Sequence, residues 1–263
     1  MTREETPDMF CTHEEADTRM FFHLAGIIQP KNVVIRTADT DCLIIALANR
    51  RNYHVDTKIW LEVGTQTANT LRYINVNLLE LALGDLVGAL PAFHALTGCD
   101  YTASFCRKAK IRPLKQLEKR EDLQMALASL GTESEDCDET MKKIEEYVCL
   151  MYGRKKCVTV NEARLEIFLQ KYKTCKKLSA VKKLDAGMLP PCLKVLRQKV
   201  KRTRLVARRW NSSTLQHQPI EVPEENGWIL EDEKYKIKWF EGEESPDMLD
   251  VVKEDCEGNL YFH

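Results

Sequence analysis

No Cys-x-x-Cys pair occurs in this 263-residue sequence, although it contains ten cysteines. Irregular spacing of that kind fits neither a zinc ribbon nor a small disulfide framework, and it reads as reduced, intracellular thiols. Long apolar runs are also missing. The most apolar stretch, Leu78 to Leu96, is interrupted by Glu80 and Asp85, so no segment is expected to span a membrane. Residues Met1 to Met9 carry three acids and no apolar run, unlike a secretory signal. The chain has no Gly-x4-Gly-Lys-Ser/Thr, no Gly-x-Gly-x-x-Gly and no Gly-x-Ser-x-Gly, which leaves nucleotide-loop and serine-hydrolase chemistry without support. No internal repeat is visible.

What is present is the composition of a globular chain: 44% apolar and 30% charged residues, long enough for one large domain or two small ones. Thr12 to Gly26 reads as a helix with an N-cap threonine, acids in its first turn and an apolar face of Met20, Phe21, Leu24 and Ala25. Asn32-Val33-Val34-Ile35-Arg36 reads as a buried strand, Cys42 to Ala48 as a helix, and Thr57 to Val63 and Leu71 to Val76 as further strands. Asn77 to Leu96 is helical in composition, with a break expected at Gly88 or Pro91. This alternation predicts an α/β layer with a parallel sheet. Ile111 to Lys177 is expected to be mostly helical, notably Met141 to Met151 and Asn161 to Tyr172, with an acidic loop at Thr132 to Glu139. After Trp210 the chain reads as loop plus one hairpin or a packed arm.

The formal net charge of −1 hides a segregation. Arg154 to Arg209 carries eighteen Lys/Arg and three acids, a net of +15, whereas Pro219 to His263 has four basic and fourteen acidic residues, a net of −10. The basic block could neutralise phosphates, or it could be a helical surface answered by the acidic tail folding over it. Lys199 to Arg209 holds six Lys/Arg and also reads as a nuclear-localisation patch.

Acids recur where α/β sheets form their binding crevices. Asp39 and Asp41 follow directly on the first strand. Glu14, Glu15 and Asp17 stand at the start of the first helix. Asp100 lies in the glycine turn Thr97-Gly98-Cys99-Asp100-Tyr101. Each has an ordinary alternative as a helix cap or a complement to the helix dipole. His13 reads as a surface or capping residue, Cys42, Cys99 and Cys106 as buried thiols, and Trp210, Trp228 and Trp239 as anchors for the tail or as base-stacking groups. If the three acidic groups share one crevice, mutual repulsion calls for hard divalent cations to keep them ionised.

Glu15-Ala16-Asp17, Thr37-Ala38-Asp39-Thr40-Asp41 and Gly98-Cys99-Asp100-Tyr101, spaced by twenty-two residues from Asp17 to Asp39 and fifty-nine from Asp41 to Asp100, resemble the structure-specific nucleases of the flap-endonuclease and XPG type within the PIN-like superfamily. Together with His13-Glu14-Glu15-Ala16-Asp17-Thr18-Arg19 and His94-Ala95-Leu96-Thr97-Gly98-Cys99-Asp100, they look like a group of uncharacterised animal proteins with a PIN-like domain, many of them derived from mobile elements. Leu189-Pro190-Pro191, Arg209-Trp210 and Gly227-Trp228 are similar to that group as well.

The resemblance covers roughly Thr12 to Leu117. It implies a PIN-like three-layer parallel sheet at 1–117, with the family's amino-terminal strands missing, followed by a helical basic region at 118–210 and an acidic tryptophan-containing tail at 211–263. It further implies a two-metal Mg²⁺ or Mn²⁺ site held by Glu15, Asp17, Asp39, Asp41 and Asp100, with Glu14 as an outer member and Asp39, Asp41 and Asp100 central to catalysis. Nucleic acid is the expected partner, DNA in preference to RNA, with phosphate contacts from Arg107, Lys108, Lys110, Lys199, Lys201, Arg202 and Arg204. Two departures stand out. The family's early aspartates have no counterpart, and Thr102 to Lys110 contains no glycine where the family uses glycine-rich backbone to grip a duplex. The expected function is a metal-dependent, structure-specific nuclease, with a catalytically inactive, transposon-derived nucleic-acid- or protein-binding remnant as the alternative.

Overall fold

In the computed structural model, residues 10–132, 137–173 and 185–242 are described. The first helix, α1 (Ala16–Ala25), is shorter than expected because Thr12 does not cap it. The Thr12 amide instead donates to the Gln216 carbonyl, and its hydroxyl accepts from the Gln218 amide, tying the chain start to a distant loop. His13 is buried rather than at the surface. Its Nε2 meets the Leu215 carbonyl at 2.7 Å, and its ring stacks on Phe22.

Strand β1 (Asn32–Arg36) pairs in parallel with β2 (Lys58–Val63). A parallel pair needs a crossover, and α2 (Thr40–Ala48) supplies most of it. Ile35, Ile59 and Leu61 point inward from the two strands. The third strand, β3 (Arg72–Asn75), pairs antiparallel with β2, so the sheet has the order β1-β2-β3 and is mixed rather than parallel. A turn of Gly64 to Leu71 joins β2 to β3 directly, and with no crossover helix between them a parallel pairing is out of reach. The architecture is therefore mixed α/β with a small three-stranded sheet.

Two helices follow, α3 (Val76–Leu83) and α4 (Leu86–Thr97), bent by 99° relative to each other. The break falls at Gly84, neither at Gly88 nor at Pro91, which both lie inside α4. Gly84 takes φ 55°, ψ −130°, a conformation that a side chain would strain. Asn77 pins α3 to the sheet by accepting from the Ile59 amide at 2.9 Å and donating to the Thr57 carbonyl at 3.0 Å. Among the described residues, no single helix is long and apolar enough to cross a membrane.

The helical region holds α5 (Ile111–Leu117), α6 (Glu121–Leu130), α7 (Asp138–Met151) and α8 (Val160–Lys173). Of the expected acidic loop, residues 133–136 lie outside the described residues. Helix α9 (Leu193–Asn211) is the longest described and packs against α2, α4, α6 and α7. One apolar cluster runs from Phe21 through Leu61, Phe93 and Leu127 to Trp210. The boundary anticipated at 117 therefore falls inside a shared core, whereas that cluster ends at Trp210, next to the boundary anticipated at 210. After α9, a 3₁₀ turn at Pro223–Asn226 leads into an antiparallel hairpin, β4 (Trp228–Glu231) and β5 (Lys234–Ile237).

Candidate metal and nucleic-acid site

The end of β1 and the start of α2 set the first acids. Asp39 has extended backbone and caps α2, its Oδ1 accepting from the Asp41 amide at 2.8 Å. The Asp39 side chain stays exposed, whereas Asp41 is drawn inside. There its Oδ1 meets Nε2 of His94 at 2.8 Å, both side chains being close to nine-tenths buried. His94 comes from the last turn of α4, and its ring lies 5.8 Å from that of Trp210.

Asp17 arrives from the first turn of α1. Its charge reaches the thiol of buried Cys42, which follows Asp41 on α2. Burial pushes this thiol up to about 12; the Thr37 hydroxyl, donating to Sγ at 3.4 Å, pulls the other way, and the charges of Asp17 and then Asp39 raise it further. Cys42 thus senses both carboxylates at once.

Glu15 takes a different partner set. Its Oε1 lies 3.8 Å from the Arg209 guanidinium at the end of α9. It also faces the Tyr101 hydroxyl, which burial and then the nearby Glu15 carboxylate hold well above its ordinary range, with the Asp100 charge adding a smaller push. Asp100 itself is exposed. It sits with Tyr101 in a two-residue loop closed by paired backbone hydrogen bonds between Cys99 and Thr102, at 3.0 and 3.2 Å. Gly98 enters this loop at φ 121°, and a Cβ there would lie 2.8 Å from Ser104 Cα, so only glycine fits. Asp100 does not cap a following helix.

Of the five acids, Asp39 and Asp41 are linked directly through the cap, while the charges of Asp17 and Asp39 both reach Cys42 and those of Glu15 and Asp100 both reach Tyr101. Among the described residues, no group of three or more His, Cys, Asp or Glu side chains is close enough to hold a metal ion. Glu14 is exposed beside them. The donor types suit a hard cation.

His94 and Lys110 carry more of this region than their sequence positions suggest. Lys110 is half-buried, and its Nζ donates to the carbonyls of His94 at 3.1 Å and Gly98 at 2.5 Å, so it closes the end of α4. Burial lowers its ammonium below the usual range. In the sequence His94 stands out as a polar residue ending the apolar run Leu86-Val87-Gly88-Ala89-Leu90-Pro91-Ala92-Phe93 and as the first residue of the segment that resembles the PIN-like group.

The other anticipated phosphate contacts separate into two groups. Arg107 is exposed, 3.7 Å from Asp185, and Lys108 sits 4.3 Å over the Tyr152 ring. In α9, Lys199, Arg202 and Arg204 are buried. Lys199 donates to the Ala103 carbonyl, and Arg202 to the carbonyls of Gly227 and Lys238 at 2.9 and 2.8 Å. Lys201 pairs with Glu241 at 3.2 Å, and Arg208 with Glu221 at 2.9 Å. The expectation of an open phosphate-tracking face on α9 is corrected: packing on several sides buries Lys199, Arg202 and Arg204, with Lys199 and Arg202 turned to chain carbonyls, while the partly exposed Lys201 and Arg208 are paired with the acidic tail. Of the weighed thiols and rings, Cys42 is buried and Cys106 exposed, while Trp210 is core and Trp239 is 56% exposed.

Comparison with protein-family models, with curated proteins and with solved structures finds no match to this chain.

Proposed function

We propose that this chain is a PIN-like domain that acts on nucleic-acid phosphodiesters with the help of divalent cations, Mg²⁺ or Mn²⁺. The observation that carries the reading is that Asp39 and Asp41 stand where β1 of the parallel β1–β2 pair passes into α2, with the exposed Asp39 carboxylate capping that helix, and that the charge of Asp17 from α1 reaches Cys42 in the same turn. Carboxylates gathered from separate elements repel one another, and a cation between them relieves that cost. Asp17 and Asp39 would hold the ion. Asp41 would join them on exchanging His94 for it, and Glu15 and Asp100 would border the crevice from the Tyr101 side. Bound there, a divalent ion supplies charge neutralisation and water activation for in-line phosphodiester hydrolysis. The chain's own part is to aim the acids: the α2 cap orients Asp39, His94 holds Asp41, and the Gly98 loop presents Asp100.

A second reading has its own support. Asp41 is engaged by a buried histidine, and its release would leave that imidazole without its partner. An inactive remnant that binds nucleic acid or protein without cutting fits this arrangement.

Titrating Mn²⁺ while following the thermal midpoint separates the two. A real site raises the midpoint, by about 2.7 kcal/mol of stability at one hundred times the dissociation constant, and Asp39→Ala removes the rise. Incubation with flap, hairpin and single-stranded substrates then reads cleavage. Cleavage abolished by Asp39→Ala supports the nuclease, and nucleic-acid binding without cleavage supports the remnant. No midpoint shift and no cleavage at millimolar Mn²⁺ would remove the metal from the account.

A further inference from the structure

Another cavity, of about 250 Å³, is bordered by none of the carboxylates described above. Its walls bring together Lys199 and Arg202 of α9, Arg164 of α8, and the rings of Phe105, Tyr152 and Trp239. No Asp or Glu is among the described residues that line it.

Among the described residues, no acid pairs with Lys199, Arg202 or Arg164. Lys199 and Arg202 are only 7% and 4% exposed. Lys199 donates to the Ala103 carbonyl, Arg202 to the carbonyls of Gly227 and Lys238, and Arg164 to the Pro190 carbonyl. Carbonyl dipoles orient such groups but do not neutralise them, and buried unpaired charge is costly. Burial accordingly pulls Lys199 down to about 8 and Arg202 down to about 10. An anion entering the cavity would supply the missing charge. The rings add a second requirement. Lys199 lies 4.8 Å over Phe105 and Arg202 lies 6.0 Å from Trp239, so the aromatic faces are arranged around the same cations. Trp239, more than half exposed, offers a planar wall at the rim.

We propose that this cavity binds a nucleoside phosphate monoester, with the phosphate among Lys199, Arg202 and Arg164 and the base against Trp239. A monoester phosphate carries a charge of about −1.5 to −2 at neutral pH, which suits a cavity with several cations and no acid. The volume lies just below the usual range for ligand pockets, roughly 300–1,000 Å³, and suits one nucleotide better than a duplex. Base stacking on an aromatic side chain is tolerant of sequence. The same chemistry could come from a free mononucleotide or from the phosphorylated end of a strand. The site does not depend on the metal reading, because no residue of the carboxylate crevice lines it.

The test is calorimetric titration of the full chain in EDTA, so that metal-dependent cleavage plays no part. Adenosine 5′-monophosphate, inorganic phosphate, adenosine, and a short single strand with either a 5′-phosphate or a 5′-hydroxyl are compared. Saturable binding of the monophosphate at least about tenfold tighter than phosphate or adenosine identifies a free-nucleotide site. A comparable preference for the 5′-phosphorylated strand over its hydroxyl form identifies a strand-end site. In either case Lys199→Met and Trp239→Ala should each weaken binding by about tenfold or more. Trp239 is exposed, so its variant decides the matter if Lys199→Met does not fold. The proposal is overturned if neither phosphate-bearing probe binds, if inorganic phosphate binds as tightly as the nucleotide, or if Trp239→Ala binds like the parent chain.

Discussion

The acids at the starts of α1 and α2 and the cations of α9 are both dense charge clusters in the sequence, and the fold treats them differently. Asp39 and Asp100 remain at the surface, Glu15 and Asp17 are half-buried, and only Asp41 goes inside, where His94 receives it. In α9 the order is reversed. Lys199, Arg202 and Arg204 are buried, and the partly exposed Lys201 and Arg208 are taken by Glu241 and Glu221. The difference comes from position. The first turn of α2 leaves Asp39 exposed just after β1, whereas α9, packed against α2, α4, α6 and α7, carries charged heads inside. A cluster of charge becomes a ligand surface only where the fold leaves it without an internal partner.

The largest test of that contrast is His94→Ala. It leaves the Asp41 carboxylate buried with its partner gone, and breaking a buried pair from one side costs about 3–5 kcal/mol. The expected result is a fall in the denaturation midpoint with an unchanged slope. An effect below ~1 kcal/mol would mean that Asp41 is free to reach solvent, which would place all the acids on the open side of the comparison.

Lys199 tests the other side through pH. Its folded value of about 8 lies below the ordinary lysine value of 10.5. Between those values the unfolded amine carries a proton that the folded one does not, so stability contributed by this residue rises with pH across the window. The full effect is up to about 3 kcal/mol. Arg202 on the same helix and Lys110 from the segment before α5 face this amine and depress it or hold it down, while Cys99 from the turn after α4 opposes them. Cys42 and Cys149, both pushed up to about 12 by burial, act in the opposite direction above pH 9, because their unfolded thiols ionise first. The informative quantity is therefore the difference between the parent and Lys199→Met. That difference should shrink or change sign in favour of the parent as pH rises from 7 to 10, and a pH-independent difference would mean that Lys199 is not buried as a cation.

Arg202→Met probes the tie between α9 and the tail. It removes charge-assisted bonds to the Gly227 and Lys238 carbonyls, at an expected cost of about 2 kcal/mol. Amide exchange should accelerate in Gly227 to Ile237 more than in α4. Equal acceleration in both would show that the hairpin is not a separately loosened unit.

Much of the layer order was legible in the residues. Val33-Val34-Ile35 and Ile59-Trp60-Leu61 carry strand patterns, and β1, β2, β3, α2, α7 and α8 fall within a few residues of the expected spans. Pairing direction was not legible, because the Arg72–Asn75 strand reads the same in either sense, and only its short connection to β2 decides it. The α3–α4 break was misread for a similar reason. Pro91 is a stronger breaker by propensity, yet Gly84 takes the bend because its positive φ is open to it. For the candidate site, the acids were visible as motifs, and so were His94, Tyr101 and Lys110, but the partners these three take were not, since they lie elsewhere in the sequence. The answer to the α9 charge was half visible: the acidic tail was one of two open alternatives, and Glu221 and Glu241 realise it.

The smallest effect concerns how that tail is closed. Asp232 and Glu233 form the two-residue loop of the β4–β5 hairpin, and both have positive φ, 50° and 60°. Two positive φ values are what a type I′ turn needs, and Asn-Gly or Asp-Gly is the usual solution because glycine meets no steric penalty there. Glu233 occupies the glycine place. Its replacement by glycine removes that strain, although the unfolded chain gains freedom in return, so a net gain of only about 0.5–1 kcal/mol is expected. If the tail is held mainly by Arg202 and by the Arg208–Glu221 pair, the gain in Glu233→Gly should vanish in the Arg202→Met background. With the hairpin already loosened from α9, an easier turn would no longer be coupled to the core. Full additivity of the two substitutions would instead mean that the hairpin folds onto the helix through contacts other than the buried guanidinium, and the internal cations of α9 would then matter less to the tail than the comparison with the acidic crevice requires.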